Sequence, residues 1–158
     1  MIFNPQPRRD DDKNLSKPCD GVRYLAGHSA LEELVKQMRR QGNQVGMDAA
    51  EQWVALTDGG NGLEPWMDVN FPRAVKILDF QHPAGYLADL AKLIAPDDSE
   101  TLLTTWCHTM KHEGGAAILE ALEKLDRRRM SRAAREQSEK TCNYMRNNLG
   151  RMKYPEYL

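Results

Sequence analysis

A chain of 158 residues with 41% apolar and 28% charged residues suits one globular domain, and the composition excludes a fibrous or disordered class. The net charge of −1 leaves no overall attraction to DNA or acidic lipid, so any nucleic-acid contact must come from local clustering. No apolar run approaches the roughly 18 residues needed to span a bilayer, and the opening "MIFNPQPRRDDDK" lacks a signal-peptide apolar core, so a cytoplasmic protein with no membrane partner is expected.

Residues 1–21 hold three prolines and the tract "RRDDDK" without periodicity and read as a flexible arm or remnant. "GHSALEELVKQMRRQGNQVG" then predicts a helix, capped by Ser29 with Glu32 at the capping-box position. Leu31, Leu34, Val35 and Met38 form its apolar face, and Gly42 and Gly46 are expected to end it. "WVALT" reads as a buried strand that stops at "DGGNG". Residues 62–70 fit a short helix with Pro65 in its first turn. "AVKILDF" is a second strand, and Pro83 lies near the start of a helix running to about Ile94. Strand, helix, strand, helix makes parallel strands the default. From "APDDSE" onward the pattern is helical only: a helix capped by Ser99, a break at "HEGG", a helix over residues 117–125 and a last helix from about Ser131 to Asn148 with Tyr144 and Met145 on its buried side. Gly150 follows as a stop, and "RMKYPEYL" shows no turn or cap.

Several residues can carry chemistry. Asp58 directly follows the first strand, and in open α/β sheets ligands bind beyond the carboxyl ends of strands. Asp79 lies in the last turn of the second strand, with His82 three residues on. Neighbouring parallel strands would face both carboxylates into one crevice, where they could hold a hard divalent cation through oxygen. The plainer alternative for Asp58 is an Asx-type turn ahead of "GGNG". For His82 the alternatives are a ligand, a general acid or base, or a histidine hydrogen-bonded to backbone. His108 and His112 stand at i and i+4 beside Cys107, which is half of a zinc-site pattern without a visible second half, so a solvated face is expected. A zinc-binding interaction domain is the competing possibility. "GGNG" lacks the lysine of a P-loop and the spacing of a dinucleotide fingerprint, which argues against a nucleotide cofactor. Cys19, Cys107 and Cys142 are odd in number and not closely spaced, which suits reduced thiols. The stretch "RRRMSRAAR" places Arg127, Arg128, Arg129, Arg132 and Arg135 together without an acid. It is either a phosphate-neutralising stripe or a solvated helix face.

"VRYLAG", "LVKQMRRQGNQVGMD", "ALTDGGNGLE", "NFPRAVKILDFQH", "WCHTMKHEGG" and "RMKYPEY" occur in an order that resembles the ISKra-type family of bacterial insertion-sequence transposases, relatives of the Mutator-like enzymes. The likeness covers about residues 22–157. It implies an RNase H-like core in which three acids bind two Mg2+ ions for DNA strand cleavage and joining. Asp58 matches the second acid, at the end of the fourth strand, and is thereby the catalytic and metal-binding residue. Asp79 and His82 match the family's D-x-x-H signature, and residues from about 97 match a helical insertion.

Two departures accompany the likeness. The first acid belongs to a strand upstream of "VRYLAG", and residues 1–21 have no strand-like run to carry it; Asp10, Asp11, Asp12 and Asp20 sit in polar surroundings. The third acid, a glutamate, belongs to a motif beyond "YPEY", to which Glu156 itself belongs. The expected fold is therefore α/β: an arm over 1–21, a partial RNase H-like core over 22–96 with two parallel strands and helices, and an all-α helical insertion over 97–158. One acid cannot fix a two-ion geometry, so no autonomous catalysis is expected. The unpaired strand edge invites association with another chain, and a homo-oligomer is a possible state. The alternative function is a non-catalytic DNA-binding or self-associating helical module built on the arginine stripe.

Overall fold

The structure, a computed structural model, describes residues 25, 26, 28, 30–59 and 63–157. The arm over 1–21 with its aspartates and Cys19, the cap assigned to Ser29 and the "GNG" of the first turn lie outside the described residues. The chain divides into two compact units, residues 1–53 and 54–158. Among the described residues it is mostly helical, with two parallel strands in a single sheet.

In the first unit, helix α1 spans Leu31–Gln44. Its N-cap position is Ala30, which offers no side-chain hydrogen bond, so the helix opens one residue later than the expected cap allows. Val35 is buried, whereas Leu31 lies at the exposed margin of the apolar face. Gly42 does not end the helix. It is buried within it because the Met47 side chain packs there, where a Cβ would come within 2.8 Å of Met47 Sδ. The stop comes at Gly46, whose φ of 81° is a left-handed conformation that glycine adopts without strain. A 3-10 turn over Met47–Ala49 follows, and Trp53 Nε1 donates to Met47 O at 2.7 Å.

Strand β1 (Trp53–Thr57) leads into the second unit and pairs with β2 (Ala74–Leu78). Helix α2 (Leu63–Asn70) lies between them in sequence, with Pro65 in its first turn as expected. β1 is not the fully buried strand that its composition suggested. Trp53 and Ala55 are buried, but Val54 and Leu56 are 55% and 65% exposed, the alternation of a strand covered on one face. Asp79 and Phe80 leave the strand, since α3 (Gln81–Ile94) already begins at Gln81.

The helices after α3 are α4 (Ser99–Glu113), α5 (Gly115–Glu123) and α6 (Arg132–Asn148), with 3-10 turns over Pro96–Asp98, Arg127–Arg129, Leu149–Arg151 and Tyr154–Tyr157. Ser99 is not a cap. The turn at 96–98 draws it into the first helical position of α4, and Asp98 takes the cap position without a side-chain hydrogen bond. Ser131 does cap α6, its Oγ accepting from the Ala134 N–H at 3.2 Å. α3 packs on α4 and α6, and α5 packs on the same two. Leu78 of β2, Leu87 and Leu90 of α3, Met110 of α4, Ile118 and Leu122 of α5 and Met145 of α6 are all fully buried in one apolar cluster. Strand and helical segments therefore share a single core in this unit.

"HEGG" and "RMKYPEYL" meet there. Gly114, at φ 90°, turns the chain between α4 and α5, and the Gly115 N–H donates to Met152 O at 2.9 Å. A Cβ on Gly115 would stand 2.6 Å from Met152 Cβ, so the small residue is what admits the C-terminal segment. That segment, in which no turn was expected, forms 3-10 turns and buries Arg151, Met152 and Tyr154, and the Tyr154 ring meets Phe80 edge-on at 5.2 Å.

Candidate functional site

The carboxyl ends of β1 and β2 lie side by side, because the Asp79 N–H donates to Thr57 O at 2.7 Å. Asp58 therefore sits next to the turn that opens α3, as strand order predicted. Asp79 is used locally: its Oδ1 accepts the Gln81 N–H at 3.1 Å, an Asx-type link that starts α3. Its Oδ2 lies 3.6 Å from His82 Nδ1. The D-x-x-H spacing thus joins an acid and an imidazole within one helical turn, and both are partly exposed.

The turn at Asp58 is held from α6 and the segment after it. Tyr144 Oη donates to the Asp58 carbonyl at 3.2 Å, and Arg151 Nη1 donates to Thr57 Oγ1 at 3.0 Å. Arg151 Nη2 donates to Asn148 Oδ1, and Nε lies 3.8 Å from Glu64 Oε2 on α2. Glu64 also lies 3.6 Å from Lys76 Nζ of β2, which pairs more closely with Asp68 at 2.5 Å. The hydrogen bond with the Asp68 carboxylate holds the Lys76 ammonium above its ordinary range. Gly59, at φ +79°, passes so close to β2 and α6 that a Cβ would meet Leu78 Cδ1 and Tyr144 Oη, each at 2.8 Å.

Burial pushes the Tyr144 phenol up, with the neighbouring Tyr86, Asp58 and Asp79 adding to the rise and the Arg151 cation opposing it. Burial likewise pushes the Tyr154 phenol far above its ordinary value, and its hydroxyl has no hydrogen-bond partner. Tyr86 of α3 stacks on Tyr144 with centroids 4.1 Å apart, and Lys140 Nζ lies 5.3 Å from the Tyr86 centroid. Beside them a cleft of about 390 Å³ opens between α3 and α6, lined by His82, Tyr86, Asp89 and Lys140.

The donors for Mg2+ can be tested on this geometry. Asp79 already has one oxygen engaged by backbone, and among the described residues no group of three or more His, Cys, Asp or Glu side chains converges as a metal site. The described residues alone do not supply the donor set of a two-ion centre.

The expected arginine stripe is divided by the fold. Arg127, Arg128 and Arg129 form a 3-10 turn, whereas Arg132 and Arg135 belong to α6. Arg127 is half-buried, and its Nη2 contacts Cys142 Sγ at 3.7 Å. Arg129 and Arg132 pair with Asp126 at 3.8 Å and Glu136 at 2.8 Å, while Arg135 Nε donates to Met130 O at 3.1 Å. Arg128 belongs to that same exposed turn. His108 and His112 are exposed on α4 with ring centroids 4.4 Å apart. Cys107 is half-buried, which pushes its thiol up.

No family model, curated protein or solved structure matches this chain.

Arg151, Asn148 and Glu64 support the strand end without a local pattern that marks them, although helical spacing links the first two. Tyr144, Asn148 and Arg151 stand at i, i+4 and i+7, one face of a helix that continues through the 3-10 turn over Leu149–Arg151. Among the described residues no helix is long and apolar enough to cross a membrane.

Proposed function

We propose that the chain is part of a DDE-type transposase, a protein of metal-dependent DNA strand cleavage and joining, in which Asp58 is one of the metal-binding acids of an RNase H-like core. The observation that carries this reading is the adjacency of Asp58 and the Asp79–His82 pair at the same end of two hydrogen-bonded parallel strands. Asp58 is the residue proposed to touch the metal. Asp79 and His82 shape the helix start beside it, and among the described residues no further acids converge on it. By itself the chain is expected to cleave no DNA in Mg2+.

Mn2+, added as a paramagnetic probe, tests the assignment of Asp58. Amide signals of residues 57–59 are expected to broaden first, and Asp58→Asn should abolish the effect. Broadening that starts elsewhere, or that survives Asp58→Asn, refutes the assignment.

A second reading, a DNA-binding or self-associating module without chemistry, is favoured by the Arg129 and Arg132 side chains, each 92% exposed despite an acidic neighbour. DNA binding that weakens with salt, survives Asp58→Asn and is lost when Arg127, Arg128 and Arg129 become alanine would support it.

A further inference from the structure

We propose that His108 and His112 form half of a zinc site, completed by the same pair from a second copy of this chain. The two residues lie one turn apart near the end of α4, both exposed, with ring centroids 4.4 Å apart and planes inclined at 41°. With Zn–N bonds of about 2.1 Å, and each ring centroid roughly 1.1 Å behind its ligating nitrogen, two imidazoles on one tetrahedral ion stand about 5.2 Å apart. Small rotations of two solvent-exposed rings close that difference.

The rest of the coordination sphere is not found on the same chain. Cys107 is adjacent to His108, so it points about 100° around the helix. It is also half-buried. Among the described residues no third His, Cys, Asp or Glu joins the pair. Structural zinc is four-coordinate and tetrahedral, so a bidentate pair leaves two positions open. A two-fold axis through the ion presents an identical pair, since an isologous contact repeats the same patch on both partners. The site lies on α4 and does not depend on the assignment of Asp58.

The test uses the full chain, stripped with chelator and titrated with zinc chloride, followed by calorimetry and sedimentation velocity. One Zn2+ per two chains is expected, with a doubling of mass that chelator reverses. His108→Ala and His112→Ala should each weaken zinc binding at least roughly tenfold, the lower end of what even an outer-shell partner contributes. Both should keep the circular dichroism of the parent, and Cys107→Ser should behave as the parent does. Absence of zinc binding overturns the proposal, as does one Zn2+ per chain with unchanged mass, dimerisation that persists without the histidines, or its loss in Cys107→Ser.

Discussion

Replacing Arg151 by alanine tests whether the strand end is held from the C-terminal segment. The residue is 7% exposed, and its guanidinium donates to Thr57 Oγ1 at 3.0 Å and to Asn148 Oδ1. Losing a hydrogen bond from a charged donor costs about 1.5–3 kcal/mol. Thr57 is half-buried and can recruit water, so its loss falls at the lower end of that range, whereas Asn148 is buried and its Oδ1 loses a partner. The Glu64 contact at 3.8 Å is to a carboxylate 42% exposed, so after solvent screening it adds under about 0.5 kcal/mol. Against these losses, Arg151 Nε has no hydrogen-bond partner, and removing it recovers part of the cost of burying the cation. The balance is a destabilisation of about 3 kcal/mol, a large part of the roughly 5–15 kcal/mol that holds a domain of this size. Urea unfolding followed by far-ultraviolet circular dichroism reads it as a lower midpoint at constant slope. Arg151→Met keeps most of the volume and removes the buried charge, and should cost about half as much. If both variants stay within about 0.5 kcal/mol of the parent, as ordinary surface substitutions do, the buried guanidinium is not holding the turn. A double-mutant cycle with Thr57→Ala isolates the bond itself, and additivity within about 0.5 kcal/mol would remove that bond from the account.

Gly59→Ala should destabilise by roughly 1–3 kcal/mol, because it combines a φ of +79° with a Cβ 2.8 Å from Leu78 and Tyr144, whereas Gly85→Ala in α3, with nothing within 4 Å, should stabilise by about 0.5–1 kcal/mol. Equal effects in thermal melts would show that the turn has room for a Cβ at Gly59. Tyr154 has a raised folded-state pKa, so its stabilising contribution is complete below its ordinary value of 10.0 and is lost as pH rises towards the folded value. Absorbance at 295 nm should show a late-titrating tyrosine that Tyr154→Phe removes; an unchanged titration in the variant counts against a buried Tyr154. Ser131→Ala should cost about 1 kcal/mol through the cap of α6, and a change under a few tenths in urea midpoints would mean that the cap contributes nothing.

Elements with one strong signal were legible in the sequence. β1, α2, β2 and α3 follow from compact apolar runs separated by turn residues, and the parallel sheet follows from their order. Legibility failed where the signal depended on a distant partner. The buried face of α6 includes Ser138, Thr141 and Asn148 beside Cys142 and Met145, so its polar members hid how deeply it packs. Thr141 Oγ1 donates to Tyr86 O at 3.4 Å, a satisfaction that no spacing reveals. The C-terminal segment showed no turn or cap, because its partners, Gly115 and Phe80, are far away in sequence. At the candidate site, the positions of Asp58, Asp79 and His82 could be read from strand ends. Their supports could not, because the Arg151 guanidinium reaches Thr57 across 94 residues of chain.

Asp79 and the Thr57–Asp58 turn are held by different bonds. Asp79 places its carboxylate on the Gln81 amide, so moving that carboxylate to a ligand loosens the start of α3. Asp58 is fixed through its carbonyl, which accepts from Tyr144, and through the neighbouring Thr57, whose carbonyl and hydroxyl accept from the Asp79 amide and from Arg151. A turn anchored through Tyr144 and Arg151 keeps its backbone in place whatever its side chain binds, and a rigid support of that kind is what preorganisation requires. Two of those anchors, Tyr144 and Arg151, come from α6 and the segment after it. Removing the chain from α6 onward should therefore loosen the Thr57–Asp58 turn even where β1 and β2 stay paired, so the helical segment helps to build the strand-end site that it appears only to follow.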